Sequence, residues 1–296
     1  MSSVQVLLAV HNGARHLEVL IRSLKAQVEI DELSLLASDD HSTDGSKKIL
    51  RNFGITTLDG PTKGAATNFR FLITNAGRHD FYAFADQDDV WFPNKMTVAI
   101  SKLKQIKGPA IYVGSTIDTK GKIRTPEIYT LPESLMTNQI QGCTIVINNK
   151  FLHLIQENLP KSFIMHDWWI YNFAQCFGQI VVDETPSVIY RLHGLNLIGT
   201  DSRLLKISRL LRKLKTRDYF AEVFNQAQSL VWSPSRNTNT QKVESWLYAV
   251  QGNLFARIKY LYKSNLNFHS IQKKIFFSFL ILAGKYRQSQ LHLEQL

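Results

Sequence analysis

Phe81-Tyr-Ala-Phe-Ala-Asp-Gln-Asp-Asp-Val-Trp91 is the most telling stretch of this chain. An apolar, aromatic-rich run stops abruptly at Asp86, Asp88 and Asp89. A buried strand that finishes in acids delivers them to the edge of a sheet. Gathered carboxylates repel one another and are costly to hold together unless a cation joins them. Mg2+ and Mn2+ prefer oxygen ligands and also hold phosphate oxygens. The stretch therefore points to a metal-assisted phosphate or nucleotide site.

The segments before it repeat the same design. Residues 4–10 read as a buried strand, and His11-Asn12-Gly13 turns the chain. Leu17, Leu20, Ile21 and Leu24 then recur at helical spacing within residues 15–27. Residues 33–37 form a second predicted strand that ends at Ser38, Asp39 and Asp40, and residues 42–46 predict a capped loop opening a helix through Leu50. A third strand is expected at 55–58, a helix at 64–76, a helix with Pro93 in its first position, and a strand at 111–114. Alternating strands and helices imply an α/β fold whose mostly parallel sheet is covered on both faces. Ligands of such sheets bind beyond the carboxyl ends of the strands. Three polar clusters are expected there: His11 with Asn12, Asp39 with Asp40, and Asp86 to Asp89.

Farther on, strands are expected at 144–147, 180–182 and 188–190, with a helix at 163–177. From Arg203 the character becomes helical. Residues 203–217 carry seven Lys or Arg and no acid, with Leu204, Ile207, Leu211 and Leu214 on one face. This divides the chain into a domain over 1–200 and a helical C-terminal region over 201–296 with a basic amphipathic helix. A formal charge of +11 favours anionic partners such as nucleotides, nucleic acid or a membrane surface. Two cysteines supply no disulfide framework, which favours a reducing, cytoplasmic setting. The N-terminal residues show no signal-like apolar core. The longest apolar run, 275–283, is too short to cross a bilayer and reads as a buried helix or an interface segment.

Five motifs in order carry a resemblance. They are the strand followed by His11-Asn12-Gly13, then Ser38-Asp-Asp-His-Ser-Thr-Asp-Gly-Ser46, Ala85-Asp-Gln-Asp-Asp-Val-Trp91, Met165-His-Asp-Trp-Trp169 and Tyr190-Arg-Leu-His-Gly-Leu-Asn196. Together they resemble the inverting family-2 glycosyltransferases of GT-A fold, close to bacterial rhamnosyltransferase-like members. The likeness covers about residues 3–200. It implies a GT-A fold, a Rossmann-like mixed and mostly parallel sheet flanked by helices, with a helical C-terminal extension.

The resemblance also implies roles. Asp86-Gln-Asp88 matches the D-x-D motif, so Asp86 would face the ribose and Asp88 would hold Mn2+ or Mg2+ against the donor diphosphate. Asp39 and Asp40 match acids that bind a pyrimidine base, whose N3–H donates to a carboxylate. His11 and Asn12 would lie against the nucleotide, and Asn68 would add a polar contact. His11 stands where the family often has Tyr, and His41 where it often has Gly. Asp167 matches the catalytic base, which takes the proton of the acceptor hydroxyl. Gly142, Trp168 and Trp169 would line the acceptor side. His193 would complete the metal site or meet the diphosphate, with Arg191 as its partner in a phosphate clamp.

Plainer readings stand beside these. Asp86 to Asp89 would serve as a solvated turn, Asn68 as a buried strand cap, and Asp167 as a helix cap before two core tryptophans. Cys143 is expected to be a small packed residue. The implied activity moves a sugar from a dTDP- or UDP-sugar, dTDP-L-rhamnose foremost, to a bacterial surface glycan or lipid-linked acceptor. An anionic membrane surface would attract the basic helix at the inner face of the cell membrane, and no nucleic acid partner is expected. Two rivals remain: a phosphatase of the haloacid dehalogenase type with Asp86 as nucleophile, and a non-catalytic binder of a membrane surface or nucleic acid driven by the basic helix.

Overall fold

The structure is a computed structural model that describes residues 2–138, 140–191, 217–231 and 235–286. The chain divides into two compact units, Met1–Glu127 with Ile140–Leu197 and Ile128–Gln139 with Ile198–Leu296.

In the first unit, β1 (Ser3–Val10) runs parallel to β2 (Glu32–Asp39) on one side and β4 (Phe81–Asp86) on the other. Strand β3 (Thr56–Asp59) extends the parallel set beyond β2. Helices α1 (Ala14–Lys25), α2 (Ser46–Asn52) and α3 (Ala65–Thr74) make the crossovers that parallel strands require. Past β4 the sheet becomes mixed. Strand β8 (Val146–Asn148) lies antiparallel between β4 and β6 (Ala110–Asp118), and β9 (Gln179–Tyr190) runs parallel to β6. Strand β5 (Val90–Trp91) pairs with β9 at the edge, and β7 (Ile123–Arg124) pairs with β6. The sheet is mixed and mostly parallel, as expected, with its long ladders parallel and its antiparallel ones short.

The pleat explains the core. Val4, Val6, Leu8 and Val10 alternate along β1 and join the cluster that holds Leu17, Leu20, Ile21 and Leu24 of α1. Met96, Ile100 and Leu103 of α4 (Lys95–Leu103) complete it. Each fully buried aliphatic side chain contributes about 1.5–3 kcal/mol. Leu7 and Phe84, fully buried as well, alternate with these residues along β1 and β4.

Several boundaries differ from the sequence-based expectation. Pro93 does not open α4; Asn94 is the flanking residue and the helix begins at Lys95. Residues 142–144 form a 3-10 turn, so the strand expected at 144–147 starts only at Val146. Helix α5 (Asn149–Glu157) follows at once, with the Asn148 side chain accepting from Phe151 N, and was not anticipated. Strand β9 is continuous where two strands were expected. Pro186 lacks an N–H, and the register against β6 shifts around it instead of breaking. Helix α6 (His166–Phe177) follows the expectation, three residues shorter at its start.

The second unit holds α7 (Arg217–Gln228), α8 (Thr238–Gln251), α9 (Leu254–Ser264) and α10 (Ile271–Leu282). Asn237 and Thr240 form a capping box at the start of α8, and Asn253 caps α9. Residues 128–138 pack with these helices: Glu133 Oε1 accepts from Asn267 N at 2.6 Å, and the Tyr129 ring lies 4.5 Å from His269. No described helix is long and apolar enough to cross a membrane. The basic run at 203–217, all but its last residue, and His193 lie outside the described residues.

Candidate active site

Parallel register brings the three polar clusters together. Val10 of β1 pairs with Asp39, and Ala9 pairs with Asp86, so the chain leaves all three strands at the same edge. Gln87, the middle residue of the D-x-D, fastens two of the exits. Its Oε1 accepts from His11 N at 2.8 Å and its Nε2 donates to His11 O at 2.9 Å. His11 Nδ1 in turn donates to Asp40 O at 2.8 Å. Gly13 is required beside this clamp, because a Cβ there would sit 2.4 Å from Gln87 Oε1. Asn12 adopts a left-handed φ of 51°, which Asn tolerates, and its Oδ1 accepts from Thr43 N.

The two strand-2 acids have different environments. Asp40 uses both oxygens on the following loop, accepting from Thr62 N and Gly64 N. Asp39 is fully buried; its Oδ2 accepts from Ser42 N, while its Oδ1 has no hydrogen-bond partner. Asp39 thus keeps a free acceptor, and Asp40 shapes the loop. Asn68 is buried and donates from Nδ2 to Ser38 O, with its Oδ1 unpartnered. It therefore tethers α3 to the end of β2.

The centre of the site is acidic and tight. Asp86, Asp89 and Cys143 bring ligand atoms within 4.8 Å of one another. Burial, then the charges of Asp88 and Asp167, push the Asp86 carboxyl up to about 7. Asp167 thus acts on Asp86 from a different element, the first turn of α6. Asp89 is 1% exposed and pushed well above the carboxylate range, by burial first and then by Asp86 and Asp88. The Cys143 thiol and Arg191 N–H lie close enough to moderate that shift, but neither Asp89 oxygen has a well-formed hydrogen bond.

Lys95 lies under this cluster, fully buried, with Nζ 3.1 Å from the centroid of Trp91. Burial brings it down to about 7, against the opposing pull of Cys143 and Asp89. Oxygen donors with unpartnered buried lone pairs fit a hard divalent cation. Cys143 does not fit such an ion, since burial holds its thiol well above its ordinary range and keeps it protonated.

The acceptor-side residues divide. Gly142 does lie against Asp167: a Cβ there would meet His166 Nε2 at 2.5 Å and Asp167 Cβ at 3.5 Å. His166 stacks on Phe69 with centroids 3.7 Å apart, and burial lowers it to about 3, so it stays neutral. Asp167 Oδ1 accepts from Trp168 N at 2.7 Å. Trp168 and Trp169 are 2% and 0% exposed, and Trp169 stacks on Phe173 at 4.8 Å. The expected apolar walls are therefore core packing behind Asp167, because the helix turns both rings inward. Arg191 leaves β9 beside Asp89 and approaches His16 Nδ1 at 3.4 Å; with His193 outside the described residues, the phosphate clamp has no second half to describe.

Sequence reasoning missed Gln87 and Lys95. Lys95 had a signal: it shares an i, i+4, i+8 face with the buried Ala99 and Leu103. Gln87 had none, since its partner is 76 residues away.

The model of glycosyl transferase family 2 matches residues 5–175. The chain belongs to this family. Its fold is GT-A: Staphylococcus aureus TarS 1–349 bound to UDP-GlcNAc superposes with a TM-score of 0.60 at 12% identity, covering 99% of this chain and 92% of that one. Glucosyl-3-phosphoglycerate synthase of Mycobacterium tuberculosis, solved with Mn2+, UDP and phosphoglyceric acid, gives 0.50 at 14% identity and 80% of each chain. Among curated proteins, the dTDP-rhamnosyl transferase RfbG of Shigella flexneri is 27% identical over 246 residues, 75% of this chain and 84% of that protein. An uncharacterized glycosyltransferase of Rickettsia felis is 25% identical over 213 residues, 64% of this chain but only 34% of its own length. Family membership sets aside the phosphatase reading of Asp86 and the reading of the chain as a non-catalytic binder.

Proposed function

We propose that this family-2 glycosyltransferase moves a sugar from a nucleoside diphosphate donor to a hydroxyl of a bacterial surface glycan or lipid-linked acceptor, inverting the anomeric carbon. The observation that carries the reading is the placement of Asp167 in the first turn of α6, against Gly142, near enough to Asp86 at the tip of β4 for its charge to help raise that carboxyl. One carboxylate near the donor motif and one arriving from another element suit a single displacement. Asp167 would take the proton of the acceptor hydroxyl as its oxygen attacks the sugar carbon, and the nucleoside diphosphate would leave from the opposite face.

Asp88, with Asp86 and Asp89 around it, would hold Mn2+ or Mg2+. That ion supplies charge to neutralise the departing diphosphate, without protonation. The buried, unpartnered Asp39 Oδ1 would accept the N3–H of uracil or thymine. Asp86 would face the ribose, with His11, Asn12, Asn68 and Arg191 around the nucleotide. The similarity to RfbG, named a dTDP-rhamnosyl transferase, favours dTDP-L-rhamnose over UDP-hexoses.

The test is nucleotide release from dTDP-L-rhamnose and UDP-sugars with Mn2+, with a panel of glycan and lipid-linked acceptors. Asp167→Asn should lower turnover by roughly 10²–10⁴ while leaving donor binding intact. Full turnover in that variant would remove Asp167 as the base.

A further inference from the structure

The second unit turns large apolar side chains toward solvent in two ordered stripes. On α9, Leu254, Phe255, Ile258 and Tyr262 are 56%, 75%, 51% and 89% exposed. Their spacing puts them on one side of the helix. Lys259 and Lys263 continue that exposed side. Arg257 points the other way, buried, and donates to Leu282 O and Gly252 O. On α10, Ile271, Ile275 and Phe279 recur at i, i+4 and i+8 and are 68%, 65% and 60% exposed. Leu280 and Ile281 are the buried residues of that helix. Scattered exposed apolar residues are ordinary. Stripes on two consecutive helices are not, and a helix with such a face calls for a covering surface.

Charge says what kind of cover fits. Besides the buried Arg257, residues 245–286 contain five lysines and no Asp or Glu. A second copy docking through this face would bring like charges together, which is costly. An anionic bilayer meets both requirements. The apolar stripes enter the boundary between headgroups and acyl chains, and the lysines meet the lipid phosphates. No described helix can span the membrane, so the helices would lie on it.

We propose that the exposed stripes of α9 and α10 form a docking face for an anionic lipid surface. The proposal stands independently of the sugar-transfer reading, and its test needs no donor or acceptor.

Cys143 and Cys176 are both buried, so Tyr262→Cys introduces one accessible thiol for an environment-sensitive fluorophore. The labelled full-length chain is mixed with vesicles of phosphatidylcholine, with or without phosphatidylglycerol. The expected result is a blue shift and cosedimentation only with phosphatidylglycerol. In the unlabelled chain, Phe255→Ser with Phe279→Ser should weaken that binding by about tenfold or more, since each lost ring removes apolar burial in the membrane. The melting temperature should stay unchanged, because the rings are exposed in solution. Lys259→Glu with Lys263→Glu should weaken binding as well.

Three outcomes would overturn the proposal. One is sedimentation with no shift at position 262, which would put the attachment elsewhere, such as the basic run at 203–217. Another is unchanged binding in the double Phe variant. The third is a blue shift before vesicles are added, with a dimer in light scattering, which would mean that a second copy covers the face.

Discussion

Asp86 ties the chemistry of the site to its stability. Burial, then the charges of Asp88 and Asp167, push its carboxyl up to about 7 in the folded chain from the ordinary 3.8. Between those values the folded state holds the extra proton, so the metal-free protein should be stable below about pH 4 with respect to this group and lose that contribution as pH rises through 7. Asp183 acts with the opposite sign. Burial raises it, but bonds from Lys102, Thr185 and Tyr112 prevail and bring it down to about 2, so its contribution is lost as pH falls from about 4 toward 2. Melting curves in EDTA should therefore fall off on both sides. Asp86→Asn should make the side above pH 4 shallower, with buried Asp89 keeping part of it, and Asp183→Asn should flatten the acid side. An unaltered neutral limb in Asp86→Asn would mean that its carboxyl is not confined as described. Gln87→Leu should cost about 1–3 kcal/mol in chemical denaturation, because two His11 backbone groups lose their partners.

The elements set how closely these groups can approach. Gly142 lets the 3-10 turn lie against α6, and His166 cannot yield because it is stacked on Phe69 and sits 5.3 Å from Phe84. Gly142→Ala should therefore displace α6, cost about 1–3 kcal/mol, and lower turnover more than donor binding. Equal losses in both would place the strain elsewhere. Leu20→Ala, far from the site on α1, should cost about 2–5 kcal/mol and leave kcat unchanged. The βα half was legible because its signals are local: apolar runs for β1, β2 and β4, and helical spacing for α1. Helix α5 escaped because its nine residues follow β8 without a turn. Pro186 lies between the two strands expected from the sequence; a proline inside a strand argues against pairing, and only the neighbouring register reveals the accommodation.

Across the molecule, the acids at the strand tips were readable for the same reason as the strands, since sheet architecture sends chain ends to one edge. What covers them was not. Lys95 under Asp89, Cys143 beside Asp86, and the inward turn of Trp168 and Trp169 all depend on partners distant in sequence. The helices after Arg217 carried no motif, and their exposed apolar stripes become visible only once burial is known.

The assignment as a nucleotide-sugar enzyme comes down to whether the strand-tip carboxylates hold a cation and, with it, a diphosphate. Titration calorimetry of dTDP into the full chain measures this directly. Binding should require Mn2+, and the Asp88→Ala protein, still folded, should bind at least tenfold more weakly, a loss of about 1.4 kcal/mol or more. Binding of equal strength in EDTA, or undiminished in Asp88→Ala, would contradict the account.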